Sequence, residues 1–186
     1  MNHLGTVTLE TPRLILRKFI LSDAECMYKN WTNDHEVARF LTWPTHSSVQ
    51  DSHDIISSWI NQYSSTPTYQ WCIELKETHE PIGTISVVHI REEIESVEIG
   101  YCIGKNFWNK GLTSEAFTVV ISFLFEQVGV NRIEARHDIN NPNSGKVMMR
   151  CGLKYEGTRL MADRNNSGIC DVALYGLLAR DYIPTI

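Results

Sequence analysis

The chain of 186 residues has no long apolar run, no excess of positive charge and no closely spaced cysteine pair. No window approaches the ~18 consecutive apolar residues of a membrane span, so we expect no membrane partner. The formal net charge of −5 argues against nucleic acid, because proteins that bind it usually carry basic surfaces. An acidic balance suits a cationic acceptor such as an amine. The first residues lack the basic and apolar regions of a signal peptide, which predicts a cytoplasmic location.

The cysteines are odd in number and widely scattered, and none forms a CxxC motif or a pair with histidine. They are Cys26, Cys72, Cys102, Cys151 and Cys170. This pattern favours reduced thiols over disulfides or a zinc site, and we predict no metal. An acyl-enzyme on Cys102 or Cys151 is the alternative. It is disfavoured because each lies where a buried structural cysteine is expected and no histidine stands at a pairing distance in sequence.

Hydrophobic periodicity predicts one mixed α/β domain over residues 1–186. A strand is expected over residues 8–19, a helix capped at Ser22-Asp23 follows it, and a short helix covers residues 34–41. Another amphipathic helix should cover residues 48–63. Three strands at 69–75, 81–89 and 96–103 read as an antiparallel meander. A long helix from Gly111 to Gly129 precedes a strand at 132–137, a helix at 141–151 and strands at 153–161 and 170–177. A short helix at 178–182 follows the last of these strands.

The chemically suggestive feature is a glycine, Gly111, where a strand gives way to a helix. Glycine allows backbone to approach a ligand closely, and the first helical turn offers free N–H groups and a positive dipole end to phosphate. A second helix with a polar start begins at Asn141, after the helix that follows Gly111 and one further strand. The two helix starts predict a nucleotide-containing cofactor that reaches toward a reaction centre.

Five segments, in order, resemble the GNAT N-acetyltransferase superfamily, and more narrowly its branch of ribosomal-protein N-terminal acetyltransferases. They are Glu10-Thr11-Pro12-Arg13-Leu14-Ile15-Leu16-Arg17, Ile99 to Ile103 with Trp108 to Ala116, Asn141-Pro142-Asn143-Ser144 with Cys151-Gly152-Leu153, Tyr155-Glu156-Gly157-Thr158, and Asp171 to Leu178. Trp108 opens the phosphate motif, as is usual in the narrow branch, and Thr113 departs from the small residue expected at its end. Leu153 stands where phenylalanine is usual. Each segment is weak alone, but together they cover nearly the whole chain.

The resemblance implies a central, mostly antiparallel mixed sheet that splays to admit a thioester, with helices on both faces. It implies acetyl-coenzyme A as co-substrate and no metal. The residues that it places at the cofactor are Ile99, Gly100, Tyr101, Cys102, Ile103, Trp108, Asn109, Lys110, Gly111, Leu112, Thr113, Asn141 and Ser144. Whether Lys110 and Thr113 reach the pyrophosphate by their side chains stays open.

Two side chains are candidates for catalysis. Ser144 is implied to lie near the coenzyme-A sulfur as proton donor, and the alternative is an incidental residue at the third helical position. Glu98 shares a strand face with Gly100 and Cys102, opposite apolar neighbours, and is a candidate general base. The alternative is a plain acidic surface patch together with Glu92, Glu93 and Glu95. Asn141 is expected both to cap its helix and to lie beside the pantetheine arm.

The predicted function is direct transfer of an acetyl group from acetyl-coenzyme A to a primary amine, for example a protein N-terminal α-amino group. A small-molecule amine acetyltransferase and a non-catalytic acyl-coenzyme-A sensor are the alternatives. We expect a monomer or a homodimer. Trp31, Trp43 and Trp59 are most simply core, and Trp43-Pro44 is also a candidate wall of an acceptor pocket.

Overall fold

The computed structural model describes residues 1–184 and places a single twisted sheet between two layers of helices. The strands of these residues are β1 (Leu9–Glu10), β2 (Leu14–Arg17), β3 (Gln70–Leu75), β4 (Glu80–Arg91), β5 (Ser96–Ile103), β6 (Arg132–Asp138), β7 (Lys154–Asn165) and β8 (Gly168–Leu178). Their order is β1-β2-β3-β4-β5-β6-β8-β7, and every neighbouring pair is antiparallel except β5 with β6. The mixed, mostly antiparallel sheet is therefore confirmed.

The α-helices are shorter than the amphipathic pattern predicts, because 3-10 or π-helical turns adjoin several of them. They are α1 (Ala24–Met27), α2 (His35–Ala38), α3 (Val49–Gln62), α4 (Leu112–Phe123) and α5 (Pro142–Arg150). A π-helical turn, Tyr28–Thr32, extends α1, and a second one, Leu124–Val128, extends α4 up to Gly129. Gly129 has a φ of 75°, so it ends the helix in the left-handed conformation expected of a glycine C-cap. Among residues 1–184 no helix has the length and apolarity to cross a membrane.

Two local predictions in the N-terminal segment are wrong. The expected strand over residues 8–19 is a hairpin, in which Leu9 pairs with Leu16 across a turn. The cap predicted at Ser22-Asp23 is wrong for Ser22, which lies inside a 3-10 turn that begins at Leu21. Asp23 holds the N-cap position of α1, and its Oδ2 accepts from the backbone N–H of Ile20 at 2.9 Å.

The sheet separates two apolar cores because side chains alternate along its strands. The larger core packs α4 and Met148 of α5 against the inner residues of β2 to β6, among them Val97 and Ile99. The smaller core lies under α1 and α3 on the other face, and Cys102 of β5 belongs to it together with Trp31. The two cores hold β5 from both sides, so its position in the sheet is fixed where the chemistry is expected.

Candidate active site

The sheet opens in its middle, between β5 and β6. The two strands pair in parallel only from Ser96 opposite Arg132 to Glu98 opposite Glu134, although both continue beyond. Two cavities meet at this gap, one of about 350 Å³ beside the starts of α4 and α5 and one of about 490 Å³ under α3. The residues that line both cavities are Phe40, Leu41, Tyr101, Cys102, Asn141 and Ser144. The predicted splay is confirmed, and it joins two compartments at those six residues.

The backbone of β5 is divided between the sheet and the gap. Gly104 N–H donates to the carbonyl of Ile82 at 2.9 Å, and Ile103 faces Gly83 in the next register position. Because hydrogen-bonded and non-hydrogen-bonded pairs alternate in an antiparallel ladder, Tyr101 and Ile103 turn their N–H groups away from β4. The N–H groups of Gly100 and Cys102 donate to β4, so these two residues can make only van der Waals contacts with a ligand in the gap.

The turn before α4 leaves the helix start open to an anion. Gly111 occupies the N-cap position with a φ of 75°, and no side chain accepts from the N–H groups of the first turn within the described chain. Asn109 is also left-handed, with a φ of 60°. Asn109, Gly111 and Thr113 form one wall of the smaller cavity. This wall therefore presents backbone N–H groups at the positive end of the helix dipole.

Glu115 fastens this turn to the hairpin of β1 and β2. Its Oε1 accepts from the Thr11 hydroxyl at 2.6 Å and from the backbone N–H of Arg13 at 2.9 Å, and its Oε2 accepts from Arg13 Nε at 2.7 Å. Arg13 also donates to the carbonyl of Lys110 at 3.0 Å. Burial alone would raise the pKa of Glu115, but these donors outweigh it and the pKa is lowered. The anion-binding turn is thus held by residues about a hundred positions earlier in the chain.

The side chains of the turn divide between core, surface and cavity. Trp108 donates from Nε1 to the carbonyl of Ile103 at 2.9 Å, while Leu112 is buried in the larger core. Lys110 Nζ lies 5.6 Å from the centre of the Phe107 ring and its side chain does not line the cavity. Thr113 does line it. Leu112 can therefore serve a ligand only through its backbone, and a side-chain contact of Lys110 with the pyrophosphate stays a prediction.

Asn141 is not a side-chain cap of α5, which corrects the prediction. Within residues 1–184 its side chain makes no capping bond; only its carbonyl accepts from Ser144 N–H, at 3.1 Å. Pro142 occupies the first helical turn as expected. The Asn141 amide lines both cavities and is available to a ligand.

Tyr101 of β5 contacts Ser144 at the start of α5, and the role of Ser144 as proton donor stays a prediction. Tyr101 Oη lies 3.0 Å from Ser144 Oγ and donates to the Ser144 carbonyl at 2.9 Å. Burial raises the pKa of Tyr101 far above its ordinary value, although the hydrogen bond with Ser144 lowers it in part. The two hydroxyls stay protonated and stand where the cavities meet, as a proton donor for a leaving thiolate requires.

Glu98 lies on the cavity face of β5, opposite the buried Val97 and Ile99, as the alternation predicts. It is not part of a plain surface patch, since Glu92 and Glu93 are exposed in a separate 3-10 turn. Its Oε1 is paired with Arg136 Nε at 3.1 Å. The role of Glu98 as a base stays a prediction, and the structure adds a cationic partner that the sequence did not indicate.

The larger cavity has aromatic walls and a roof. Trp31, Phe40, Trp43 and Trp59 line it, so Trp43 does face the pocket that the sequence allowed for. Its roof is the β7–β8 turn, where Asn166 Nδ2 donates to the carbonyls of Ala38 and Trp43 at 2.8 and 2.7 Å. These contacts join segments more than 120 residues apart, and no local pattern in the sequence signals them.

The buried thiols of Cys102 and Cys151 do not have the low pKa that a nucleophilic cysteine needs. Burial raises the pKa of Cys102 to about 12 and that of Cys151 to about 11, with hydrogen bonds from Thr118 and to Ser114 offsetting part of the second shift. The thiolate is the reactive form, so both groups are protonated near neutral pH. Within residues 1–184 no three His, Cys, Asp or Glu side chains gather as metal ligands.

The same chain is similar to known acetyltransferases along most of its length. The acetyltransferase (GNAT) domain family matches residues 13–154. The uncharacterized N-acetyltransferase p20 of Bacillus licheniformis is 35% identical, over 94% of this chain and 98% of that protein. The ribosomal-protein-serine acetyltransferase of Escherichia coli is 26% identical, over 81% of this chain and 80% of its own length. The microcin C7 self-immunity acetyltransferase MccE, solved in complex with acetyl-CoA and AMP, superposes with a TM-score of 0.81 at 22% identity, over 90% of this chain and 93% of that one.

Proposed function

Because this chain belongs to the GNAT acetyltransferase family and is an acetyl-CoA-dependent N-acetyltransferase, we propose that its acceptor is the N-terminal α-amino group of a protein. The relative that acetylates a ribosomal protein at serine supports this acceptor class. The observation that carries the proposal is the meeting of two cavities at Tyr101 and Ser144. One compartment suits the cofactor and the other suits an amine.

The smaller cavity is the proposed seat of acetyl-CoA. The open first turn of α4 after Gly111 would hold the pyrophosphate, with Asn109 and Thr113 beside it. Hydrogen bonds from N–H groups to a charged phosphate contribute roughly 1.5–3 kcal/mol each. The gap-facing backbone of Tyr101 and Ile103 and the free amide of Asn141 would hold the pantetheine arm. These residues fit the group because their donors have no partner among residues 1–184.

The chemistry needs three tasks from this chain. Acetyl-CoA supplies an acetyl group activated as a thioester. The N–H of Tyr101 would polarise the carbonyl, since donors fixed before the reaction stabilise developing charge at no cost of reorganisation. Ser144, supported by the Tyr101 hydroxyl, would donate to the departing thiolate. Glu98 and its partner Arg136 would position the acceptor in the larger cavity.

A small amine is the second candidate acceptor, and the roof of the larger cavity favours it. The contacts of Asn166 with the carbonyls of Ala38 and Trp43 close one side of the pocket, and aromatic walls leave about 490 Å³ inside. A pocket of this size is typical of small ligands. The five free cysteines suit a reducing compartment, and we propose the cytoplasm for either acceptor.

A mass-shift screen with acetyl-CoA tests the proposal. The acceptors are peptides with free N-terminal serine or alanine, the same peptides with blocked N-termini and an internal lysine, and spermidine as a small amine. The proposal predicts a gain of one acetyl group on free N-termini only. Acetylation of spermidine with none on peptides would support the second candidate and refute the first.

A further inference from the structure

His46 lies on the wall of the larger cavity, in the loop that precedes α3. Its backbone N–H donates to the carbonyl of Thr32 at 2.8 Å, and its ring centre lies 5.8 Å from that of Trp43. Trp31, the neighbour of Thr32, packs in the smaller core with Cys102 of the splayed strand. His46 is therefore attached, through Thr32 and Trp31, to the smaller core that packs against β5 beside the gap.

A chain of three hydrogen bonds determines which ring nitrogen of His46 carries the proton. The Thr32 hydroxyl donates to the carbonyl of Met27 at 3.2 Å, which uses its only hydrogen. Ser52, 3.1 Å away, must then donate to Thr32, and its own hydrogen is used in turn. Ser52 Oγ can therefore only accept from His46 Nδ1, at 2.7 Å. Ser52 and Thr32 are both fully buried, so no water competes for these bonds.

This order leaves the lone pair of a neutral imidazole on Nε2. Burial lowers the pKa of His46, and the carboxylate of Asp51 on α3 raises it by less. The imidazole is consequently neutral near pH 7, which is the form that can accept a proton. No partner of Nε2 occurs within residues 1–184.

The other charged groups of this cavity are already paired or lie on other walls. Glu98 on β5 and Asp163 on β7 both contact Arg136 of β6, at 3.1 and 3.4 Å. Asp138 accepts from Asn140 and Asn165, and Arg164 is a cation. His137 of β6 also lines this cavity, but its Nε2 is buried against Gly145, and its Nδ1 lies 2.7 Å from the carbonyl of Asp138. Within residues 1–184, His46 is thus the neutral base of the cavity whose acceptor atom is neither engaged nor buried.

We propose that His46 Nε2 is the general base that takes the proton from the acceptor amine, directly or through one water. The inference rests on acetyl transfer to an amine and not on which amine is used. An ammonium acceptor gives one proton to Nε2, and its free nitrogen forms the C–N bond with the thioester carbonyl carbon. The C–S bond breaks, the nitrogen gives up its second proton, which reaches the departing thiolate by way of Ser144, and the imidazolium returns the first proton to solvent. Ser52 is the positioning residue that holds the tautomer.

The variant His46→Asn tests the proposal because it keeps a donor at the position of Nδ1 and removes only Nε2. With a screened amine that the parent acetylates, we expect kcat/KM to fall about 10²-fold or more at neutral pH, the usual contribution of a general base. The loss should shrink as the pH rises toward the pKa of the amine, because the acceptor then arrives deprotonated. The exposed His35→Asn on α2 is the matched control and should keep the parent rate.

Two further measurements separate a base from a structural histidine. Exogenous imidazole should restore part of the activity of His46→Ala and none of that of Ser144→Ala. In the intact chain labelled with ¹⁵N-histidine, NMR should show His46 as the Nδ1–H tautomer, and Ser52→Ala should release it toward Nε2–H.

The proposal is overturned if His46→Asn turns over as fast as the parent, if its loss is the same at every pH, or if the parent holds the Nε2–H tautomer. A parent that acetylates none of the amines would contradict the proposed function instead. The tautomer measurement would still decide the hydrogen-bond order of His46 in that case. A loss in Glu98→Gln with the same pH signature, and none in His46→Asn, would assign the base to Glu98.

Discussion

The pairing of Tyr101 with Ser144 yields a prediction that can be worked out from two distances. Ser144→Ala removes the hydroxyl nearest the gap while Tyr101 still donates to the Ser144 carbonyl at 2.9 Å, so folding should barely change. A lost hydrogen bond to a forming thiolate is worth about 1.4–2.7 kcal/mol of barrier, or a fall of ~10- to 100-fold in kcat. The affinity for acetyl-CoA should remain close to that of the parent.

Tyr101→Phe tests the same pair from the other strand. Tyr101 has one hydrogen, which in the resting structure goes to the Ser144 carbonyl, so Ser144 Oγ donates to Tyr101. To donate to the thiolate, Ser144 must release that bond and Tyr101 must turn its hydrogen to Ser144 Oγ. We therefore expect a fall of roughly tenfold in kcat and a loss of about 0.5–1.5 kcal/mol in the free energy of unfolding.

A double-mutant cycle at single turnover gives the decisive result. If Tyr101 acts through Ser144, adding Tyr101→Phe to Ser144→Ala should change kcat by less than about threefold, because coupled residues are not additive. If the fold-loss in kcat of the double variant equals the product of the two single losses, the two hydroxyls act independently. A Ser144→Ala variant as fast as the parent, where chemistry limits the rate, would refute the reasoning.

Three other perturbations have clear expected outcomes. Replacing both Cys102 and Cys151 by Ala should keep most turnover and sequential kinetics; ping-pong kinetics or an acetyl-cysteine in a mass spectrum would contradict this. Gly145→Ala would place a Cβ 2.5 Å from His137 Nε2, which should cost about 1–3 kcal/mol of stability; an unchanged Tm would show that α5 shifts freely. Glu115→Gln should lower stability at pH 7, and the deficit should vanish as the pH falls well below the ordinary pKa of 4.5, since the folded pKa of Glu115 is lowered; a deficit that persists at low pH would be inconsistent with that linkage.

Much of the fold follows from patterns within single segments. The alternation of Val97, Glu98 and Ile99 predicts which face of β5 is core, and Gly129 ends its helix where expected. Where a contact from a remote segment turns the chain, as it does in the N-terminal hairpin, the local prediction is wrong. Thr11 and Arg13 are turned out of the expected long strand, and both bond Glu115 from a distant helix.

The site divides in the same way. Gly111 could be assigned from its place between strand and helix, and the two helix starts do meet at one gap. The sequence could not show that the hydroxyl of Tyr101 would reach Ser144, because that contact crosses from β5 to α5. It also gave no sign of His46, whose role depends on the order of donors through Ser52 and Thr32. Asn141 was expected as a cap on local grounds, but its amide is left to the cavities.

Calorimetric titration with acetyl-CoA tests the central claim, that the open start of α4 is the cofactor seat, most directly. The parent should bind with a Kd in the micromolar range, on the order of −7 to −8 kcal/mol. Gly111→Val should lose this heat while remaining folded, because a β-branched residue is strained at a φ of 75° and the turn must rearrange. The account is contradicted if the parent gives no heat at millimolar acetyl-CoA, or if a folded Gly111→Val binds as tightly as the parent.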